Sequence, residues 1–510
     1  MAQRRTSLSR SRRLIALGLG LALVAAACSD SSDTEAVTDG GADSSEETAA
    51  ETTTSAPPST VEVAQVDGAD DDAPTAFVDL PLDEKIDAFL EQPSSSLASN
   101  IAADMALTGE RRWGPWLLDL MRLGPSNTTD EQVAGAMSIL SGIERTSDQF
   151  INEDYRVYGQ WVYDEAIDPG EGYREWKLGL YGPIDDDYPQ LLDSVDDDLV
   201  LSRIQWGGVP RAGIPELNDP ERVTAAEANE WMEDGEIVFG VVVNGEAVAY
   251  PFRILGHHEL ANDTVGGEPV SLIFCTLCRT ALLFDRQVEG QVLDFQTSGL
   301  LISSNKIMVD VQTDTLWSHL NAVGIGGELE GVPLEQFPVE VTTWREWQDA
   351  HPDTETLAIP GPIFSDNPEQ APIAYAYDAD SAYRFYYDDP NVWFPILDTP
   401  TDEVDLKESV IGLDFGGEQL AIPVDDIVAA GPRVFEVGGQ SVLLVPNSAG
   451  ARVYDANDAG LADGDAPEVS SSDVDTAVLA DGSELPRMVV SQGLWFAWFG
   501  DHPNTEIWAG

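Results

Sequence analysis

"GVVVNGEAVAYPF", Gly240–Phe252, returns later in the chain as "GLDFGGEQLAIPV", Gly412–Val424, without a gap. The first copy is two apolar runs around Asn244-Gly245, the dipeptide that best suits a tight hairpin turn, so it predicts a pair of antiparallel strands. Gly240, Gly245, Glu246, Ala249 and Pro251 meet Gly412, Gly417, Glu418, Ala421 and Pro423. A second element repeats in the same order: "WREWQDAHPDTE" from Trp344 and "WFAWFGDHPNTE" from Trp495 share Trp344, Trp347, His351, Pro352, Thr354 and Glu355 with identical counterparts. Repetition in a fixed order marks a duplicated unit. The expected fold class is α+β. Two similar β cores, near 238–358 and 410–508, pack together, and the C-terminal two thirds of the chain is mainly β.

Upstream the grammar is helical. "WGPWLLDLMRLG" puts Trp116, Leu117, Leu120 and Leu123 on one face, and the aromatic residues of "YRVYGQWVYDEA" and "YREWKLGLYGP" read as core. The expected organisation is a leader over 1–27, an acidic Ser/Thr-rich tether over 28–76 and a helical region over 77–195. A first β unit over 196–362 carries the paired cysteines. A connecting segment over 363–408 leads to a second β unit over 409–510 that lacks them.

Composition narrows the function. The 510 residues carry 91 acidic against 26 basic side chains, a formal charge of -65, and only four lysines: Lys85, Lys177, Lys306 and Lys407. Such a surface repels phosphate backbones, so nucleic acid is excluded as a partner. Arg4, Arg5, Arg10, Arg12 and Arg13 precede the apolar stretch Leu14–Ala26, which ends in "VAAACSD". This pattern is similar to a lipoprotein leader, with Cys28 as the lipidated residue, and "SRRLIA" also resembles a twin-arginine export signal. The expectation is a protein held by lipid on the extracytoplasmic face of the cell membrane.

With Cys28 lipidated, Cys275 and Cys278 in "FCTLCRTALLFD" are the two remaining cysteines. Three readings of this pair stand open. As a staple, in a non-catalytic surface or binding module, it closes a very short loop, which constrains the unfolded chain by roughly 2 kcal/mol, against about 3 kcal/mol for a 15-residue loop. As a redox couple, one thiol attacks and the other resolves, with Arg279 favouring the thiolate and His258 or Glu259 relaying protons. The segment after Cys278 reads as strand, so the thioredoxin arrangement with its helix dipole is not expected. As a metal site, Cys275 and Cys278 would need further donors for zinc or copper, with His258 and Met308 as the first candidates and His257 and His319 nearby. His351 and His502 belong to the repeated element and read as structural. Arg279 excludes haem attachment, and "DANDAGLADGDA" lacks the side chains of a calcium loop at Ala459 and Ala466. On the gap-free register that ends at Asp285 and Asp455, Cys275 meets Val445 and Cys278 meets Ser448, so the second unit dispenses with the thiols.

"WGGVPRAGIPEL" from Trp206, "NGEAVAYPFRILGHHELANDTVGGEPV" from Asn244, the Cys275–Cys278 pair, "SGLLISSNKIMVD" from Ser298, "DTLWSHL" from Asp314 and "HPDTETL" from His351 follow one another. This succession resembles the domain-of-unknown-function 3179 family over roughly residues 199–510. The resemblance implies an exported protein without an agreed activity. Some relatives carry selenocysteine in the motif that matches Cys275 and Cys278, which implies redox or nucleophilic chemistry there. It also marks His258, Glu259, Asn262 and Asp263 as motif positions. His319 stands where glutamine is commoner in the family, and Arg279 where glycine is frequent. The substrate is expected to be a small molecule or a redox partner.

Overall fold

The computed structural model describes residues 80–125, 127–145, 151–362, 375–379, 382–400 and 404–510. The leader, Cys28 and the tether lie outside the described residues. Among the described residues no helix is long and apolar enough to cross a membrane.

Helices occupy the chain from Leu82–Glu91 to Asp198–Arg203. Trp113–Leu123 is buried almost all round rather than on one stripe, because helices Ser95–Thr108, Asn127–Ser141, Ile151–Asp164 and Tyr173–Tyr181 surround it. Trp116, Leu117 and Leu120 are buried there, and the Trp116 indole donates to the Pro169 carbonyl at 2.9 Å. Trp176, Tyr158, Tyr173 and Tyr181 are also fully buried, as core aromatic residues. One ion pair sits within this core. The Lys177 ammonium donates to Asp119 at 3.0 Å and to the Ile204 carbonyl at 2.6 Å, while the Tyr173 hydroxyl donates to Asp119 at 2.6 Å. Each charge therefore has the additional hydrogen bonds that burial demands.

The β portion corrects the expectation of an α+β fold made of two packed cores. It is a six-bladed β-propeller whose blades are separate sheets. One blade is built on the hairpin Ile237–Val243 and Glu246–Pro251. The next is built on Leu260–Val265, Glu268–Cys275 and Thr280–Asp285, and a third on Phe295–Ile302, Asn305–Asp310 and Leu316–Ser318. The second half supplies a blade on Ser409–Phe415 and Glu418–Pro423, one on Arg433–Val437, Gln440–Pro446 and Ala451–Asp455, and one on Val469–Ser472, Thr476–Leu479 and Glu484–Pro486. The repeated hairpin is thus the start of a three-blade array. Short antiparallel sheets with apolar residues on both faces bury those faces by stacking radially, and this leaves only short edges.

The repeated residues have a shared physical cause. A side chain on Gly240 would put its Cβ 2.3 Å from the Trp347 ring, and one on Gly412 would put it 2.2 Å from Trp498. In each half the indole lies flat on the hairpin, so only glycine fits beneath it. The Trp347 N–H donates to Thr354 at 2.9 Å and the Trp498 N–H to Thr505 at 3.0 Å. Glu246 accepts the Gly266 N–H, and Glu418 the Gly438 N–H, both at 2.9 Å. His351 packs at a tilt against Trp347, 4.1 Å between centroids, and His502 stacks on Trp498 at 3.8 Å.

Candidate functional site

Cys275 ends the strand Glu268–Cys275, and Thr280–Asp285 returns antiparallel to it. Val270 faces Asp285 here, as Val442 faces Asp455 in the matching blade. Five residues further, Cys275 is level with Thr280, and Asn447 would be level with Gly450. Cys275 therefore corresponds to Asn447 and not to Val445, because its turn is two residues longer. The cysteines ride on that extension.

Cys275 and Cys278 are joined as a disulfide, with their Cα atoms 5.6 Å apart. The turn between the strands is pinned from outside. The Leu494 N–H donates to the Cys278 carbonyl at 2.9 Å, and the Tyr387 hydroxyl donates to the Thr276 carbonyl at 2.7 Å. A strand of the second half and the segment linking the halves thus both hold the pair. Both cysteines are buried, at 1% and 0% exposure, and they share one apolar cluster with the helices, Leu300 and Phe496.

A cavity of about 80 Å³ opens beside the disulfide, room for a few water molecules or a small ligand. Cys275, Glu259, Thr276 and Lys306 line it, with Tyr383 and Trp393 among its apolar walls. Glu259 sits in the left-handed region at φ +60°, where it ends the helix Phe252–His258. Its carboxylate accepts from the Thr276 hydroxyl at 2.7 Å and forms an ion pair with the Lys306 ammonium. Both charges are buried. Lys306 comes from Asn305–Asp310 in the neighbouring blade. Sequence reasoning did not single out Lys306 or Thr276. The available signal was the rarity of lysine, together with the position of Lys306 inside "SSNKIMVD".

The other expected site residues are placed differently. Arg279 is exposed and its guanidinium rests on the Tyr387 ring, 5.2 Å from the centroid. His258 has both ring nitrogens engaged: Nδ1 is 2.8 Å from the Pro215 carbonyl and Nε2 is 2.7 Å from the Tyr377 hydroxyl. A carbonyl can only accept, so Nδ1 carries the proton and Nε2 accepts from Tyr377. Burial pushes the His258 pKa down to about 4, with the Pro215 bond pulling the other way. Met308 is buried among Phe295, Trp317 and Leu282 in a different cluster from the cysteines. The histidine that joins the pair is His319: a ring nitrogen and the two sulfurs all lie within 4.8 Å of one another. Among the described residues these three side chains bring their donor atoms close enough to share one ion.

The profile described as "Protein of unknown function (DUF3179)" matches residues 211–505, more than half of the chain, and the chain belongs to that family. No curated protein and no solved structure matches it.

Proposed function

We propose that this DUF3179 protein is a lipid-anchored, extracytoplasmic thiol–disulfide exchange protein, and that its working bond joins Cys275 to Cys278. The observation that carries the reading is the placement of Cys275, and not Cys278, on the wall of the small cavity, beside the buried Glu259–Lys306 pair. The export and anchoring part rests on the leader and Cys28 alone.

A small thiolate entering the cavity attacks Cys275 Sγ. The bond to Cys278 breaks, and Cys278 leaves as a thiolate that takes up a proton. A second small thiol attacks the incoming sulfur, releases the small disulfide, and returns Cys275 as a thiolate. Overall, one protein disulfide and two small thiols give one protein dithiol and one small disulfide. In the reverse direction Cys275 attacks and Cys278 resolves. The Lys306 ammonium favours negative charge on Cys275. Glu259 holds Lys306, and Thr276 holds Glu259. Burial of both sulfurs limits the substrate to small thiols and disulfides unless the Tyr383–Phe394 segment moves aside.

A working couple has a potential between about -270 and -120 mV, whereas a purely structural bond lies below about -300 mV. Titration against glutathione and dithiothreitol buffers measures it. Cys275→Ser and Cys278→Ser should each abolish exchange and change stability by at most about 2 kcal/mol. A native bond that no thiol buffer reduces would end the reading.

A further inference from the structure

We propose that the reduced pair is a soft-metal site in which Cys275 Sγ, Cys278 Sγ and His319 Nδ1 bind one Cu(I) ion. The inference rests on the exchange reading only in that the disulfide must be reducible in the folded protein.

The histidine carries the argument. His319 Nε2 lies 3.0 Å from the Ile273 carbonyl, and since that oxygen can only accept, Nε2 bears the proton and donates. Nδ1 is then a bare lone pair. It is fully buried and has no hydrogen-bond partner. An unsatisfied buried acceptor costs about 1–3 kcal/mol, and such groups are rare enough to require a cause. A ring nitrogen of His319 lies within 4.8 Å of both sulfurs, and of the two nitrogens only Nδ1 is free to bind. An imidazole whose far N–H is fixed by a backbone carbonyl is the arrangement by which proteins hold a ligating histidine in the correct tautomer. The Ile273 carbonyl supplies that hold from the strand that ends at Cys275.

The donor set selects the ion. Two thiolates and one imidazole are soft to borderline donors, which suit Cu(I). Structural zinc takes four ligands, and among the described residues this group has no fourth histidine, cysteine or carboxylate member. Leu277, Leu300 and Ile307 pack with the cysteines in one apolar cluster, while the cavity with Glu259 and Lys306 lies on the Cys275 side.

Two small thiols reduce the disulfide and leave as one small disulfide, and Cu(I) then displaces the two thiol protons. In the reverse direction one small disulfide oxidises the two thiolates, leaves as two small thiols after taking up two protons, and so expels Cu(I); the bond and the metal are mutually exclusive states of one site.

The test uses the full chain, reduced anaerobically with a phosphine and freed of reductant. Thiols are counted, and Cu(I) is titrated against a chromophoric Cu(I) chelator. The wild type should show two reactive thiols and retain one copper per chain, with sulfur and nitrogen scatterers in its X-ray absorption spectrum. His319→Gln should keep both thiols but lose affinity by at least tenfold, and Cys278→Ser should retain no copper. Two thiols with no retained copper would overturn the metal site alone. So would unchanged affinity in His319→Gln, or retention of zinc in preference to copper. If no thiol appears in the folded protein after reduction, both the site and the exchange reading are overturned.

Discussion

Replacing Lys306 by methionine tests the cavity most directly. The Lys306 and Glu259 side chains are 7% and 6% exposed and face each other inside the fold. Without the ammonium, the Glu259 carboxylate stays buried with the Thr276 hydroxyl as its remaining side-chain donor. Removing one partner of a buried pair costs about 3–5 kcal/mol, because the charge left behind is uncompensated. The small cavity can admit water to that charge, so the lower end, about 3 kcal/mol, is expected. Glu259→Gln keeps an acceptor for Thr276 but strands the ammonium, at a similar cost. The double variant leaves no buried charge and should lose less than about 2 kcal/mol. Urea unfolding of the four proteins at constant m-value reads these differences as shifts in midpoint. The same variants report on chemistry. A nearby opposite charge shifts a pKa by about 1–3 units, so exchange of Lys306→Met with 2-mercaptoethanol at neutral pH should slow by about tenfold. Single-variant losses that sum to that of the double within about 0.5 kcal/mol would show that the two charges are uncoupled. An unchanged exchange rate would show that Lys306 does not act on Cys275.

Gly240→Ala and Gly412→Ala each drive a methyl group into an indole ring, and each should destabilise the fold by about 1–3 kcal/mol, read from denaturant midpoints. Equal stability of either variant would mean that the tryptophan does not lie flat on its hairpin. His258 titrates near 6.5 when unfolded and is held down to about 4 in the fold, so the unfolded chain binds the extra proton between these values. The stability contributed by the neutral ring is complete above about pH 6.5 and is lost as pH falls towards 4, up to about 3 kcal/mol. In His258→Gln the slope of unfolding free energy between pH 7 and 5 should flatten, and a slope equal to the wild type would exclude His258 as its source. Cys28→Ala should move the exported protein from the membrane fraction to the soluble one. A variant still bound to the membrane after leader cleavage would exclude the lipid anchor.

Local chemistry was legible in the sequence. Asn244-Gly245 announced a hairpin because both residues must adopt positive φ, as they do at +50° and +84°. The repeated Gly240, Trp347 and Thr354 with their counterparts announced a duplication, because each set is a steric and hydrogen-bonding unit that fails if one member changes. The succession of motifs from Trp206 to Leu357 announced the family. The number of blades was not legible, since the strands of the intervening sheets share a pattern but no repeated residues, and their stacking is fixed by apolar contacts that many sequences satisfy. The composition of the site was hidden for a related reason. His258 lies closer in sequence to the cysteines than His319, and its neighbour Glu259 does line the cavity, yet the helix Phe252–His258 points its imidazole to Pro215 and Tyr377. Lys306 and His319 belong to the adjacent blade. The sequence by itself determined that Cys275 and Cys278 would lie together at a turn, because two intervening residues allow little else. Only the packing of one blade on the next decided which cation and which imidazole they would meet.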